Sequence, residues 1–167
     1  IEKAFSGVGG NNDIMTRMFG YFLSWMQDKT SSVYVIATAN NADNLPPELK
    51  RKGRFDEIFC VNLPNEKERE AIFKVHLGKR RHKDLKIDNA LIKATDGFNG
   101  ADIESVVNEA VEEVFVKNLD GTNDTLTSSV LLDKAKNTIS ISKSCKKQID
   151  NMKKAFAESN FKDASKA

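Results

Sequence analysis

The rhythm of hydrophobic and polar positions changes along the chain, and the change divides it in two. Over Ile14–Gln27, Met15, Met18, Phe19, Phe22, Leu23 and Met26 recur at steps of three and four. That spacing lines one face of an α-helix. Asp13 stands where an N-cap belongs, and Trp25 sits beside the stripe. After a polar turn comes Val33-Tyr34-Val35-Ile36-Ala37, uncharged and rich in β-branched residues. It predicts a strand buried on both faces, as in a parallel sheet. Pro46-Pro47 open a short helix over Leu45–Lys50. A second apolar run, Ile58-Phe59-Cys60-Val61, predicts another strand and is stopped by Pro64.

Past Pro64 the strand-like runs cease and helical patterns follow. Asn65 with Glu68 forms a capping-box signature for a helix over Glu66–Leu77, with Ala71, Ile72 and Val75 on one face. A basic turn, Gly78–Lys83, leads to a shorter helix at about 89–95, ended by Asp96-Gly97. Asn99-Gly100-Ala101-Asp102 opens the most regular helix, which runs to about Asn118 and keeps Ile103, Val106, Val107, Ala110 and Val114 in register. Ser128 and Ser129 are candidate caps for a helix to about Lys136, and a last helix is predicted at about 142–159. The chain therefore reads as an α/β part over residues 1–63 and an all-helical part over 64–167.

Composition narrows the classes. A chain of 167 residues with 40% hydrophobic and 30% charged residues has the make-up of a folded globular protein. Its 26 basic and 24 acidic residues leave a net charge of +2, which creates no broad field for nucleic acid or a membrane surface. Lysines 143, 146, 147, 153 and 154 make one helix basic. They read as a solvated face, because nucleic-acid contact would call for interleaved aromatics or a wider patch. No apolar run approaches the ~20 residues that cross a bilayer, and the N-terminal residues show no signal-peptide pattern. Cys60 and Cys145 lack CxxC spacing and are expected as reduced packing residues. No HExxH or Cys/His spacing argues for a metal or a metalloprotease centre.

Two places could carry chemistry. The first apolar run ends at the polar tip Thr38-Ala39-Asn40-Asn41. Ligands of open α/β sheets sit beyond the carboxyl ends of the strands, which is where Asn40 falls. A neutral amide donates and accepts, so it can hold a water in line with a phosphoryl group without becoming charged. A plain turn-capping role is the competing reading, above all for Asn41. Arg51 and Arg54 follow in Arg51-Lys52-Gly53-Arg54-Phe55-Asp56. A permanently charged planar guanidinium suits a transferring phosphoryl group, while solvation in a basic turn is the alternative. The cluster Ser6-Gly7-Val8-Gly9-Gly10 lacks the Lys-Ser/Thr of a phosphate loop and reads as a connector. His82 is expected to be solvated.

The tip ATANN, the eleven residues from Asn40 to Arg51 and the segment RKGRFD together resemble the AAA+ ATPases. KAFSG, FLSWMQDKTS and LPPELKRKGRFDEIF are most similar to a poorly characterised group within them from cyanobacteria and plastids. The fold this implies is α/β. Residues 1–63 would be the C-terminal part of a P-loop AAA+ large subdomain without its Walker A and Walker B strands, and residues 64–167 an all-α lid bundle. The resemblance implies that Asn40 is the sensor-1 residue and that Arg51 and Arg54 are arginine fingers for the next subunit's nucleotide. REAIFKVH is similar to the family's R-x-x-I-x-x-x-H helix, which places His76 by the adenine. GFNGADIES matches the G-F/Y-S/T-G-A-D-I/L helix start, where Gly100 and Ala101 let backbone approach the nucleotide; Asn99 replaces the usual Ser or Thr. The glycine cluster would face a central pore.

The resemblance also puts a P-loop and an Asp-Glu pair before Ile1. The chain is thus expected to be the C-terminal part of a longer protein. Its two strands would then not be neighbours, each leaving backbone groups unpaired at about 1–3 kcal/mol per buried group. The implied cofactors are ATP and Mg²⁺, with the Mg²⁺ ligands in the missing part. The implied partners are ATP/ADP, neighbouring subunits of a homo-oligomeric ring (a hexamer) and a protein substrate, with no membrane or nucleic acid. The implied setting is the cytoplasm or plastid stroma. The expected function is ATP hydrolysis coupled to remodelling of a protein partner, with this fragment itself inactive. The rival readings are a non-catalytic protein-interaction module derived from an AAA+ lid and a basic nucleic-acid-binding bundle.

Overall fold

The computed structural model describes residues 13–40, 45–51, 53–158 and 161–166. The glycine cluster expected at a pore, Asn41 and Lys52 lie outside these residues. The chain forms two compact units: residues 1–61 with 150–167, and residues 62–149. The sequence division placed all of 64–167 together; here the last eighteen residues, 150–167, join the first unit. Pairing of the tail with the second apolar run accounts for that.

In the first unit, α1 spans Asp13–Asp28. Phe19 and Met26 are buried, and Phe22 stacks on Trp25 with ring centroids 6.1 Å apart. Met18, expected on the buried stripe, is instead exposed together with Ile14, Tyr21 and Trp25. Strand β1 is the short pair Phe59–Cys60, and it runs parallel to β2, Lys162–Asp163, in the only sheet among the described residues. The expected strand at Val33–Ala37 is corrected: the segment joins no sheet, and Tyr34 and Ile36 are 89% and 78% exposed. A β-branched run buries both faces only when strands flank it, and among the described residues none does. The α/β character of this unit is therefore slight. Pro47–Lys50 form a 3₁₀ turn that buries Leu49.

The second unit is a helical bundle. Its helices are α2, Glu66–Lys79; α3, Asn89–Ala94; α4, Gly100–Leu119; α5, Ser128–Asn137; and α6, Ile141–Ser144. Its core joins Phe73 and Leu77 of α2, Leu91 of α3, Ile103, Val106, Val107 and Ala110 of α4, and Leu131 and Ala135 of α5. The sequence places these residues at steps of three and four, so each helix turns one apolar stripe inward. The expected last helix is broken at Cys145, and α7 resumes at Lys146–Glu158.

Local chemistry sets the ends of the helices. Asn65 and Glu68 form a complete capping box on α2, and Asn99 and Asp102 form another on α4. Thr127, not Ser128 or Ser129, caps α5 by accepting from the Val130 amide. Helix α2 ends in a left-handed residue, Arg81, at φ 65°. The His82 amide donates to the Leu77 carbonyl at 2.9 Å and the Arg81 amide to that of Gly78 at 3.1 Å, the paired closure of a Schellman motif. His82, expected to be solvated, is half-buried there. On α4, the Glu113 carboxylate takes ion pairs from Lys117 at 2.7 Å and from Lys134 of α5 at 2.6 Å. Hydrogen bonds from those two ammonium groups lower its pKa to about 2.

Candidate functional site

In the first unit, the extended segment through Val33–Asn40 lines one cavity with Leu49, Arg54, Phe55, Ile58 and Phe59, of about 670 Å³. Asn40 is exposed on this lining. Arg51 is exposed, and its backbone amide closes the 3₁₀ turn onto the Glu48 carbonyl. Arg54 is half-buried, and its Nη1 donates to that same Glu48 carbonyl. Gly53 permits this return of the chain, because it adopts φ 90°. Asn40 and Arg54 are thus brought to one cavity, and Arg51 stands outside it.

Cys60 is buried on β1, as expected, and both cysteines are free. Burial and the neighbouring Asp163 carboxylate raise its thiol pKa. The charge of a thiolate there would be desolvated and would face a like charge.

The other predicted residues lie in the second unit. His76 is on α2, with its side chain 13% exposed. Its Nδ1 lies 3.5 Å from Oε1 of Glu104 on α4 but makes no hydrogen bond. Gly100 opens α4, and a Cβ built there meets nothing within 4 Å. Ala101 beside it is exposed. A nearly buried ring nitrogen without a donor or acceptor partner, on a helix packed against α4, fits a heteroaromatic base. Open space over Gly100 fits close approach of a ligand to backbone N–H groups. Among the described residues no three His, Cys, Asp or Glu side chains gather to hold a metal.

Three residues outside the predicted nucleotide contacts hold this half in place. Arg69 is 3% exposed and donates through Nη1 to the Pro64 carbonyl at 2.9 Å and through Nη2 to that of Ile92 at 3.0 Å. Asp102 accepts from the Asn99 amide at 3.1 Å and from the Ile141 amide at 3.0 Å, which fastens the start of α4 to that of α6. Gly97 adopts φ 75°, and a Cβ there would collide with Ser142. All three stand inside the motifs already quoted, REAIFKVH and GFNGADIES. The signal was present, but the partners are distant in sequence.

The family described as ATPase family associated with various cellular activities (AAA) matches residues 1–63. The uncharacterised AAA domain-containing protein ycf46 of Guillardia theta is 44% identical over 156 residues, 91% of this chain and 30% of that protein. This chain belongs to the AAA ATPase family. The ycf46 protein of Pyropia yezoensis is 46% identical over 119 residues, 69% of this chain and 24% of that protein. The ATP-dependent zinc metalloprotease FtsH of Mycoplasmopsis pulmonis is 42% identical over 108 residues, 63% of this chain and 15% of that protein. The chain spans less than a third of the length of these AAA relatives. Among the described residues no helix is long and apolar enough to cross a membrane.

Proposed function

We propose that this chain is the sensor, arginine-finger and lid portion of an AAA+ ATPase that couples ATP binding and hydrolysis to remodelling of a protein partner. What carries the reading is family membership together with exposure: Asn40 stands exposed after the Val33–Ala37 run, and Arg51 stands exposed after the Pro47–Lys50 turn, where each can meet a nucleotide. The Asn40 amide orients the attacking water. The guanidinium groups of Arg51 and Arg54 stabilise charge on the nucleotide of the neighbouring subunit, a role worth ~10³–10⁵ in rate in nucleotide hydrolases. His76 contacts the adenine, and the backbone at Gly100 and Ala101 approaches the nucleotide.

ATP supplies the phosphoryl group, and Mg²⁺ held by residues outside this chain neutralises its charge. The working assembly is a homo-oligomeric ring, a hexamer, in the cytoplasm or the plastid stroma. This chain contains no GxxxxGK[ST] sequence, so 1–167 alone binds nucleotide weakly and does not turn it over.

The test uses the full-length protein. Arg54→Ala and Asn40→Ala subunits are each expected to lose at least ~10²-fold in ATP turnover. Mixing them restores part of it, because where the two variants alternate both defects fall in one pocket and the next pocket keeps its own Asn40 and its neighbour's Arg54. Turnover by purified 1–167, or mixtures no better than either variant alone, would refute the proposal.

A further inference from the structure

We infer that Glu104 fixes the tautomer of His76, so that the ring meets a purine as a hydrogen-bond acceptor and favours a base with an exocyclic amino group. The inference rests on the functional reading above, in which His76 contacts the base. It adds a positioning residue that the matched motif does not contain, since Glu104 follows Gly100-Ala101-Asp102-Ile103.

Three observations within the helical unit carry it. The first is placement. His76 precedes Leu77 on α2, and Glu104 follows Ile103 on α4; Leu77 and Ile103 are both fully buried in the shared core. Close packing of that core holds the two helices, and so the pair, in one arrangement. The second is the approach of the two groups. Glu104 Oε1 lies 3.5 Å from His76 Nδ1. Nδ1 is buried without a hydrogen-bond partner, so the 13% of the side chain that is exposed lies elsewhere on it. The third is the neighbourhood. Glu104 stands four residues after Gly100, on the side of α4 where a Cβ at Gly100 would meet open space.

Electrostatics decides where the proton sits. A neutral imidazole carries one N–H and one lone pair. A lone pair on Nδ1 would face the carboxylate, acceptor against acceptor. A proton on Nδ1 turns the same approach into a charge-assisted attraction. Glu104 is half-exposed, which leaves its carboxylate free to align with that N–H. Nδ1–H therefore dominates, and Nε2 keeps its lone pair. Nε2 then accepts an N–H from the exocyclic amine of adenine and opposes the carbonyl that hypoxanthine carries in its place.

Two measurements test this. In the 167-residue chain, His82→Gln leaves His76 as the only imidazole. Nitrogen NMR at about pH 8, where an ordinary imidazole is neutral, reads which ring nitrogen is protonated. Nδ1–H is expected to dominate in the parent. Glu104→Leu is expected to lower the ratio of Nδ1–H to Nε2–H at least about fivefold, the worth of one hydrogen bond. Glu104→Gln is expected to hold the ratio within about twofold, because its carbonyl oxygen also accepts. A parent ring dominated by Nε2–H, or a ratio that Glu104→Leu leaves unchanged, overturns the proposal.

In the full-length protein, kcat/KM for ATP is compared with that for inosine triphosphate. Glu104→Leu is expected to lower the preference for ATP at least about fivefold, while Glu104→Gln retains it. A Glu104 that only supported the helix would weaken both nucleotides alike, so an unchanged preference overturns the proposal. His76→Ala with an unchanged KM for ATP refutes instead the reading that His76 contacts adenine. The NMR result is independent of it.

Discussion

Arg69 offers the sharpest test of how the helical unit is built. Its guanidinium is nearly inaccessible, yet the one carboxylate near it, Asp96, lies 3.6 Å away and is 88% exposed. The charge is thus stabilised mainly by two backbone carbonyls, those of Pro64 and Ile92. Hydrogen bonds to a charged group are worth about 1.5–3 kcal/mol each. The Ile92 carbonyl keeps a second donor, Thr95 Oγ1 at 3.1 Å, when Arg69 is removed. Only the Pro64 bond is lost without replacement, and methionine fills most of the vacated space while removing a desolvated charge. Arg69→Met is therefore expected to cost about 2–3 kcal/mol. That is a fall of about 1–2 M in the urea midpoint, followed by far-UV circular dichroism. Asp96→Asn should cost less than about 0.5 kcal/mol, because an exposed partner is already solvated. If Asp96→Asn proves as costly as Arg69→Met, the carbonyl clamp is the wrong account and an ion pair the right one.

Five further outcomes follow from the same geometry. Gly97→Ala should destabilise by about 2–3 kcal/mol in urea titration, since positive φ and the Ser142 contact add. Gly121→Ala, strained only by its φ of 87°, should cost about 1 kcal/mol. Gly78→Ala, inside α2 with open space around it, should stabilise by about 0.5–1 kcal/mol, and Arg81→Gly by a similar amount, relieving the left-handed backbone at the helix end. Glu113 gives a pH test. Its pKa of about 2 lies below the ordinary carboxylate value, so its contribution is complete above about pH 4.5 and is lost as pH falls toward 2. Acid titrations of Glu113→Gln should show a shallower loss of stability across that window than the parent.

Most of the helical half was legible in order and in extent. The predicted starts at Glu66, Asn89 and Gly100 coincide with those of α2, α3 and α4. Helical spacing and caps are local properties, written within four residues of where they act. The misses were non-local or competitive. The cap of α5 fell on Thr127 because a hydroxyl one residue earlier reached the Val130 amide. Met18 and Tyr34 had the right apolar character for burial but found nothing to cover them. The residues beyond the last predicted helix, to which the sequence reading gave no element, became a strand because Ile58–Cys60 offered an edge.

The site divides the same way. Residue types and their spacing pointed to Asn40, Arg51 and Arg54, because phosphoryl chemistry restricts which side chains serve, while His76 and Gly100 were singled out by the family resemblance alone. No reading of spacing could say that Arg54 turns back onto Glu48, or that His76 faces Glu104 across two helices. Nor could it say that Asp102 ties its own cap to a residue thirty-nine positions later. The chain by itself determined which segments coil and where most of them start, since both depend on near neighbours. Tertiary packing decided which apolar faces are covered and which cations are held by carbonyls, because those depend on surfaces that only folding brings together.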